Sequence, residues 1–374
     1  MKKKNVIFIL IIIVLIIFVI VLQNKTRPMT VGSNSIDVGA IVFVTGDQAS
    51  LGEEVNNTLI LANENVISNK KINLSIEDSK DDPKEALSIY NTFKNKDFPV
   101  IISTGDQVNY ALSPIANKDK LPLIMTVTAA TPVSGDYTFR SFITADQQAE
   151  IMGKYSSETL KYKKPALLYV NNIFGEVYKT SLEKTLKSDN VTLSSSEAFG
   201  IADLDIKTQI TKTISQKPDV IFVAGFGPSY AVIFNQIRQL GWKGDILTVN
   251  TLAVPYFFNS IEKQNRHNIY FTDTAFSIDK PTNQKMISFI KLYKEKFNTD
   301  PSFIGAFTYD LYSFLSDVIN DCGTDSKSIA KCLSGVKNKT GILGDIGFVN
   351  NEMHIPLYIK KIADGDIQSV QEIK

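Results

Sequence analysis

Three strand-to-loop units follow one another between Ile36 and Pro132, and their order constrains the fold more than any other feature of the sequence. One predicted strand ends at Thr45-Gly46-Asp47-Gln48, and two more end at the loops that contain Asp106 and Thr128. Strands that alternate with helices form parallel sheets of βαβ units. The loops after such strands meet at one edge of the sheet, where open α/β sheets bind ligands. The sequence therefore predicts a binding cleft.

Short apolar runs and amphipathic helical patterns alternate along most of the chain. The runs predicted as strands are Val38–Val44, Ile72–Ile76, Val100–Ser103, Leu123–Val127, Ala166–Val170, Val191–Ser195, Val220–Ala224, Ile246–Val249 and Ile269–Thr272. The first helical pattern has one apolar face, formed by Leu51, Val55, Leu59, Ala62 and Val66. Since 374 residues are enough for two domains, the expected class is α/β with two lobes, each a mainly parallel sheet with helices on both faces.

The charge pattern argues against a nucleic-acid partner. The chain has 40 basic and 39 acidic residues, but five of the basic ones precede residue 29, so residues 29–374 carry 35 basic and 39 acidic groups. Binding to nucleic acid requires a basic surface that neutralises phosphates. No nucleic-acid partner is predicted.

The amino terminus predicts export. Lys2, Lys3 and Lys4 precede Val6–Leu22, a run of 17 residues without a polar side chain. Such a run suits a signal sequence or a slightly short membrane helix, and the lysines before it place the folded body outside the cytoplasm. Residues 1–28 are therefore expected to form a membrane anchor or a signal segment, and residues 29–35 a tether. The uncleaved anchor is favoured because no clear cleavage site follows the run.

Motifs for catalysis, metal binding and phosphate binding are missing from the sequence. His267 and His354 have no Ser or Cys partner motif beside them, and Gly225-Phe226-Gly227 lacks the third glycine of a dinucleotide fingerprint. The acids of Glu77-Asp78 and Asp81-Asp82 stand at a strand end and a helix start, where capping is favoured over a functional site. No enzymatic activity, cofactor or metal is predicted.

The cysteines are Cys322 and Cys332, ten positions apart. In an exported chain this spacing predicts a disulfide that ties a helix end to the next helix. Two thiols without a nearby histidine make a poor zinc site.

Several short motifs occur in a fixed order between about Ile36 and Ile367. They include Thr45-Gly46 with Leu51-Gly52, Asp82-Pro83, Pro122-Leu123-Ile124 with Thr128–Pro132, Gly225–Pro228, Tyr309-Asp310, and Gly344 with Gly347-Phe348. This order resembles the type I periplasmic binding proteins, the leucine/isoleucine/valine-binding receptors of ABC transporters. The resemblance implies a small polar ligand, an amino acid or a related amide or amine, that is held between two lobes and presented to the transporter's membrane subunits. The alternative is a membrane-tethered ligand-sensing receptor that acts through a membrane partner.

The resemblance also implies that the chain crosses between the lobes three times. Lobe one would comprise residues 36–140 and 279–347, and lobe two residues 141–278 and 348–374.

In lobe one, the resemblance implies ligand contacts from three loops. Asp106 stands where the family carries hydroxyl residues that hold a ligand carboxylate, with Gln107 beside it, and an acid there would repel an amino-acid carboxylate. Asp106 could instead be only a helix cap. The loop of Thr128, Ala129, Ala130 and Thr131 matches a family loop whose backbone and hydroxyl groups touch the ligand, unless it is an ordinary turn. Leu51 either faces the cleft or belongs to the apolar face of its helix.

In lobe two, Phe174 and Phe226 match positions where the family often places tyrosine. Their rings are expected to close over the ligand, although packing in the core is the alternative. Asn250 stands where amino-acid receptors of the family usually carry the acid that pairs with an ammonium. An amide cannot neutralise that charge.

Overall fold

Fifteen strands and eleven α-helices lie within residues 35–363 and 365–373, the part of the chain that this computed structural model describes. The strands are β1 (Ser35–Val42), β2 (Lys71–Asp78), β3 (Ile101–Thr104), β4 (Leu123–Thr126), β5 (Thr138–Ser141), β6 (Pro165–Val170), β7 (Ser195–Phe199), β8 (Val220–Ala224), β9 (Ile246–Thr248), β10 (Ile269–Thr274), β11 (Lys339–Gly341), β12 (Gly344–Val349), β13 (Glu352–His354), β14 (Leu357–Ala363) and β15 (Asp366–Ile373).

The α-helices vary from six to twenty residues in length. They are α1 (Ala49–Asn65), α2 (Pro83–Asn95), α3 (Asp106–Asp119), α4 (Ala145–Lys154), α5 (Ile173–Ser188), α6 (Lys207–Ser215), α7 (Gly227–Gln239), α8 (Pro255–Ser260), α9 (Gln284–Phe297), α10 (Phe303–Cys322) and α11 (Ser326–Leu333).

The strands form two sheets whose parallel parts have the same order. The first sheet runs β2-β1-β3-β4-β5-β13-β12-β11, and the second runs β7-β6-β8-β9-β10-β14-β15. In each sheet the second strand lies on one side of the first strand, and the third and later strands lie on its other side. The points where the strand order reverses, the switch points, therefore lie between β1 and β3 and between β6 and β8. Ligands bind at such switch points in open α/β sheets.

The first helix shows how the apolar pattern becomes core. Leu51, Val55, Leu59 and Ala62 are buried, as their spacing predicts, and α1 packs on α10. The helix ends before Val66, which caps it in an extended conformation and donates its N–H to the carbonyl of Ala62. Pro83 and Pro228 lie in the first turns of α2 and α7, where the missing N–H of proline costs nothing.

One predicted strand is displaced. The run Val191–Ser195 was expected as a strand, but β7 begins only at Ser195. Val191 belongs to the turn that ends α5: its N–H donates to the carbonyl of Leu186, and Asn190 before it has the left-handed φ of 58°. A buried apolar residue after a helix end packs against that end. Val191 therefore belongs to the end of α5, and the strand begins four residues later.

Near the carboxyl terminus the chain passes from the first sheet to the second. Residues 348–374 were expected in lobe two, yet β13 pairs in parallel with β5 through Glu352 and Arg140, whose side chains form an ion pair at 2.6 Å. The chain joins the second sheet only at Leu357, where β14 begins. The full lobe limits stay a prediction, because sheet membership does not assign every helix and loop.

The two cysteines are joined at the end of α10. Cys322 is the last residue of that helix, Cys332 lies in α11, and their Cα atoms are 6.4 Å apart. Oxidation of this pair in the exported protein remains a prediction.

The expectations for the amino terminus, an anchor or signal over residues 1–28 and a tether over 29–35, fall on residues outside the described part, apart from Ser35, which begins β1. Within the described part, no helix is both long and apolar enough to cross a membrane.

Candidate functional site

A cavity lies between the carboxyl ends of the two sheets. On one side it is lined by loops that follow strands of the first sheet, and on the other by loops that follow β6, β8 and β9 of the second. Its volume is about 40 Å³, which is room for a few water molecules. The site is therefore narrow, and whatever it binds is touched from both sheets.

Asp106 is the first residue of α3, and its side chain is bound by the loop after β4. Its Oδ1 accepts the N–H of Ala130 at 2.7 Å, the N–H of Thr131 at 2.9 Å and the hydroxyl of Thr131 at 3.2 Å. The Thr131 hydroxyl also lies 2.8 Å from the Asp106 carbonyl oxygen. The cap of α3 is Gly105, not Asp106. Asp106 is thus not a helix cap but an anchor for the neighbouring loop.

Burial raises the pKa of the Asp106 carboxyl, and the N–H groups of Ala130, Thr131 and Ala129 oppose that rise. Backbone N–H groups that converge on a carboxylate favour its ionised form. Donors of the kind that would hold a ligand anion are therefore already engaged by a side chain of the protein.

The loop after β4 is held in a strained conformation. Val127, which lines the cavity, has a φ of 48°, a left-handed value that is a true outlier for a β-branched residue. Such strain costs on the order of 1–2 kcal/mol and persists where the surroundings fix it. The bonds from Ala130 and Thr131 to Asp106 supply that fixation, and they aim the loop's N–H groups at the carboxylate.

Asp81 brings a second carboxyl to the cavity. Its Oδ2 accepts a hydrogen bond from the side-chain amide of Gln48, while its buried Oδ1 has no protein partner among the described residues. The pKa of Asp81 is raised to about 6: burial is the main cause, the hydrogen bond from Gln48 opposes the rise, and the charges of Asp106 and Asp47 contribute to it. The charge of Asp106 is therefore close enough to affect the ionisation of Asp81.

Gly105 allows this close approach. It has a φ of 92°, and a Cβ atom built on it would lie 2.5 Å from the Asp81 Oδ1. Only a residue without a side chain meets both conditions. Gly105 thereby brings the backbone before Asp106 against Asp81.

Aromatic rings form much of the apolar wall. Phe174 and Phe226 meet edge to face on the side of the second sheet, with ring centroids 5.4 Å apart. Phe142 follows β5, and its ring lies 6.0 Å from that of Phe303 in the first turn of α10. Ring faces attract cations as well as apolar groups.

Asn250 is the polar group on the side of the second sheet. Its backbone N–H donates to Gln148 Oε1 at 2.9 Å, and the same oxygen accepts the Thr272 hydroxyl at 2.8 Å. The Asn250 side chain is only 3% exposed, and its Nδ2 has no partner among the described residues. A buried amide without a partner is costly, so a ligand group at this place would relieve that cost.

The cavity carries acids but no bases. All of its lining residues are described, and none is Lys, Arg or His. No group of acids, histidines and cysteines suited to a metal ion occurs in the described part of the chain. The electrostatic character of the site is therefore negative.

Most of the predicted ligand contacts come together in this cavity. Those that line it are Leu51, Asp106, Gln107, Ala129, Phe174, Phe226 and Asn250. Thr128, Ala130 and Thr131 are not among the lining residues: the Thr128 hydroxyl accepts from the Asn109 amide at 2.6 Å, and the other two bind Asp106. No ligand contact is tested by this placement, so the roles of all ten residues stay predictions.

Sequence reasoning missed several lining residues. Asp81 was taken with its neighbours as a helix-capping acid, and that role belongs only to Asp82, whose Oδ1 accepts from Lys84 and Glu85. Phe142 gave a usable signal, because it directly follows a strand whose end lies at the cleft edge. Phe303 gave none, since it reaches the cavity from a helix far along the chain.

Three comparisons place these observations among known proteins. The sequence model of the periplasmic binding protein family matches residues 35–366. The Leu/Ile/Val-binding protein BraC3 of Rhizobium johnstonii is 24% identical over 271 residues, which are 67% of this chain and 70% of that protein.

Among solved structures, the branched-chain amino acid transporter substrate binding protein LivJ of Streptococcus pneumoniae, in complex with isoleucine, has a TM-score of 0.81 at 23% identity, over 91% of this chain and 99% of that one. A solute binding protein of an ABC transporter from Rhodopseudomonas palustris, in complex with 3,4-dihydroxy benzoic acid, has a TM-score of 0.79 at 19% identity, over 91% and 97% of the two chains.

These matches confirm the predicted two-lobed α/β fold. Its relatives are substrate-binding proteins of ABC transporters and not enzymes, and the family indicates an extracytoplasmic location. Its relatives include Leu/Ile/Val-binding protein homolog 3 of Brucella melitensis and the leucine-, isoleucine-, valine-, threonine-, and alanine-binding protein of Pseudomonas aeruginosa. The chain belongs to the periplasmic binding protein family.

Proposed function

We propose that this chain captures a small polar solute, an amino acid or a related amide or amine, between its two sheets and presents it to the membrane subunits of an ABC transporter. The observation that carries the proposal is the cavity at the carboxyl ends of both sheets, lined from the two switch points. A ligand held from both sides favours the closed arrangement over an open one, and membrane subunits can recognise that difference.

The relatives support the class of ligand without fixing its identity. LivJ was solved with isoleucine, and the Rhodopseudomonas palustris protein with 3,4-dihydroxy benzoic acid. One fold thus serves an amino acid and an aromatic acid, so the residues of each cleft decide the ligand. In this chain those residues include Asp81 and Asp106 on one side, and Phe174, Phe226 and Asn250 on the other.

Thermal unfolding of the full-length chain tests the proposal. A panel of amino acids, amides and amines is added one at a time, and a true ligand at a hundredfold excess over its Kd stabilises the fold by about 2.7 kcal/mol. The variants Phe174→Ala and Phe226→Ala should lose that stabilisation. A matched control is Phe98→Ala, because Phe98 packs against Phe93 near the amino end of β3, away from the cavity.

A stabilising solute whose effect persists in both cleft variants would refute binding in this cavity. Loss of the effect in the Phe98 variant as well would show a general loss of fold.

A further inference from the structure

We propose that the solute is a small organic amine, bound as its cation and carrying no carboxylate. This inference rests on the proposed function, because it names the class of ligand for the same cleft. It follows from three features of the cavity: the engaged donors around Asp106, the carboxyl pair, and the ring walls with the Asn250 amide.

The first feature concerns anions. A ligand carboxylate requires donors, and the loop after β4 has the N–H groups of Ala130 and Thr131 and the Thr131 hydroxyl in a suitable cluster. All three already contact the Asp106 Oδ1. An incoming carboxylate would have to displace a carboxylate that is covalently part of the protein, and it would sit beside that charge without a basic residue to offset the repulsion.

The second feature concerns cations. Asp81 has a buried Oδ1 without a partner among the described residues, and it lies close to Asp106 across Gly105. An ammonium group has three donors and a full positive charge. Placed between the two carboxyls, it would satisfy the free oxygen and remove the mutual repulsion of the acids.

The third feature concerns the rest of the ligand. The rings of Phe174 and Phe226 would contact the alkyl part of the amine and attract its positive charge. Asn250 lines the same cavity, and its buried Nδ2 has no partner among the described residues. Either end of an amide can turn toward a ligand, so Asn250 suits a hydroxyl or carbonyl group at the far end of the amine.

Three compounds with one alkyl chain separate these requirements. The probe 3-methylbutylamine has the ammonium alone, leucine has the ammonium and a carboxylate, and 4-methylpentanoate has the carboxylate alone. Titration calorimetry on the full-length chain at neutral pH should show binding of the amine. Leucine and 4-methylpentanoate should bind at least about a hundredfold more weakly, because each must place a carboxylate near Asp106.

Two substitutions at one position sharpen the test. Asp106→Asn keeps an oxygen that can accept from Ala130 and Thr131 but removes the charge, so affinity for 3-methylbutylamine should fall about 10- to 100-fold. Asp106→Ser frees the donors and should give measurable binding of 4-methylpentanoate. The matched control is Asp97→Asn: Asp97 is exposed, lies at the amino end of β3 opposite the cleft, and has a left-handed φ of 58° that Asn tolerates.

The outcomes separate this inference from the function on which it rests. Leucine or 4-methylpentanoate that binds as tightly as the amine, and is lost in Phe174→Ala, would overturn the amine inference and leave the solute-binding function standing. No binding of the amine, or an equal loss in the Asp106→Asn and Asp97→Asn variants, would also overturn the inference. Amine binding that survives Phe174→Ala and Phe226→Ala would overturn the cleft itself.

Discussion

A buried ion pair in the second sheet gives a prediction with a large expected magnitude. Lys360 on β14 donates from Nζ to Asp273 Oδ2 at 2.8 Å and to the carbonyl of Phe276 at 2.7 Å. The two side chains are 5% and 3% exposed. The pair joins β10, β14 and the segment that leaves the second sheet after β10, so it fixes the chain where it passes between the sheets.

The perturbation is Lys360→Met, which keeps most of the side-chain volume and removes the ammonium. Asp273 then stays buried without its cation, and burial already raises the pKa of this carboxyl against the opposing charge of Lys360. Removing one partner of a buried pair costs about 3–5 kcal/mol. The double variant Lys360→Met with Asp273→Asn should recover most of that loss, because no charge is left uncompensated.

Urea unfolding followed by circular dichroism measures these changes in the free energy of unfolding. The matched control is Lys361→Met, the next residue of the same strand, whose Nζ lies 5.0 Å from the centre of the Tyr270 ring. Such a cation–π contact is worth about 1 kcal/mol or less at an exposed site. A loss in Lys360→Met no larger than the loss in Lys361→Met would refute the reasoning, as would a double variant no more stable than the single one.

Two further predictions concern stability. Asp310 accepts the N–H of Ile342 at 2.7 Å and of Leu343 at 3.1 Å, and burial raises its pKa to about 7. The folded state therefore holds the carboxyl proton of Asp310 more tightly than the unfolded state does. The contribution of Asp310 to the free energy of unfolding then falls as pH rises from about 4 to about 7. Urea unfolding at pH 5 and pH 8 should show a smaller fall in Asp310→Asn than in the unsubstituted chain, and an equal fall would contradict this. Cys322 and Cys332 should be oxidised in the exported protein. Reduction should therefore lower the free energy of unfolding by about 2–3 kcal/mol and leave ligand binding unchanged. Thiols that react with an alkylating reagent before reduction would disprove the disulfide.

The regular βαβ parts were predictable because burial and hydrogen bonding act locally on them. A parallel strand between two helix layers is apolar along its whole length, and the runs at Val220–Ala224 and Leu123–Val127 match β8 and β4 to within one residue. Strands β11 to β15 have no counterpart among the predicted runs. The reason is plain at β15, where residues 366–372 are exposed, so no apolar pattern marks it.

The sequence predicts the site residues that directly follow predicted strands. It does not predict the contacts that form where loops distant in the chain meet. Asp106, Phe174 and Phe226 follow predicted strands and reach the cavity. The place of Asp81 in the cavity was not predicted, because Lys80 and Asp81 both have left-handed φ values, 54° and 56°. This turn separates the side chain of Asp81 from that of Asp82. No local pattern distinguishes the two acids. The partners of Asp106 lie 24 and 25 positions away, and only the fold brings them together.

The cleft is proposed to hold an amine against Asp81 and Asp106. A crystal structure of the full-length chain grown with 3-methylbutylamine tests it most directly. The claim predicts the ammonium nitrogen within about 3 Å of carboxylate oxygens of Asp81 or Asp106, with the alkyl chain against Phe174 and Phe226 and the Asp106 bonds to Ala130 and Thr131 intact. An empty cleft, an amine bound elsewhere, or a copurified ligand whose carboxylate lies on the Ala130 and Thr131 N–H groups would contradict it.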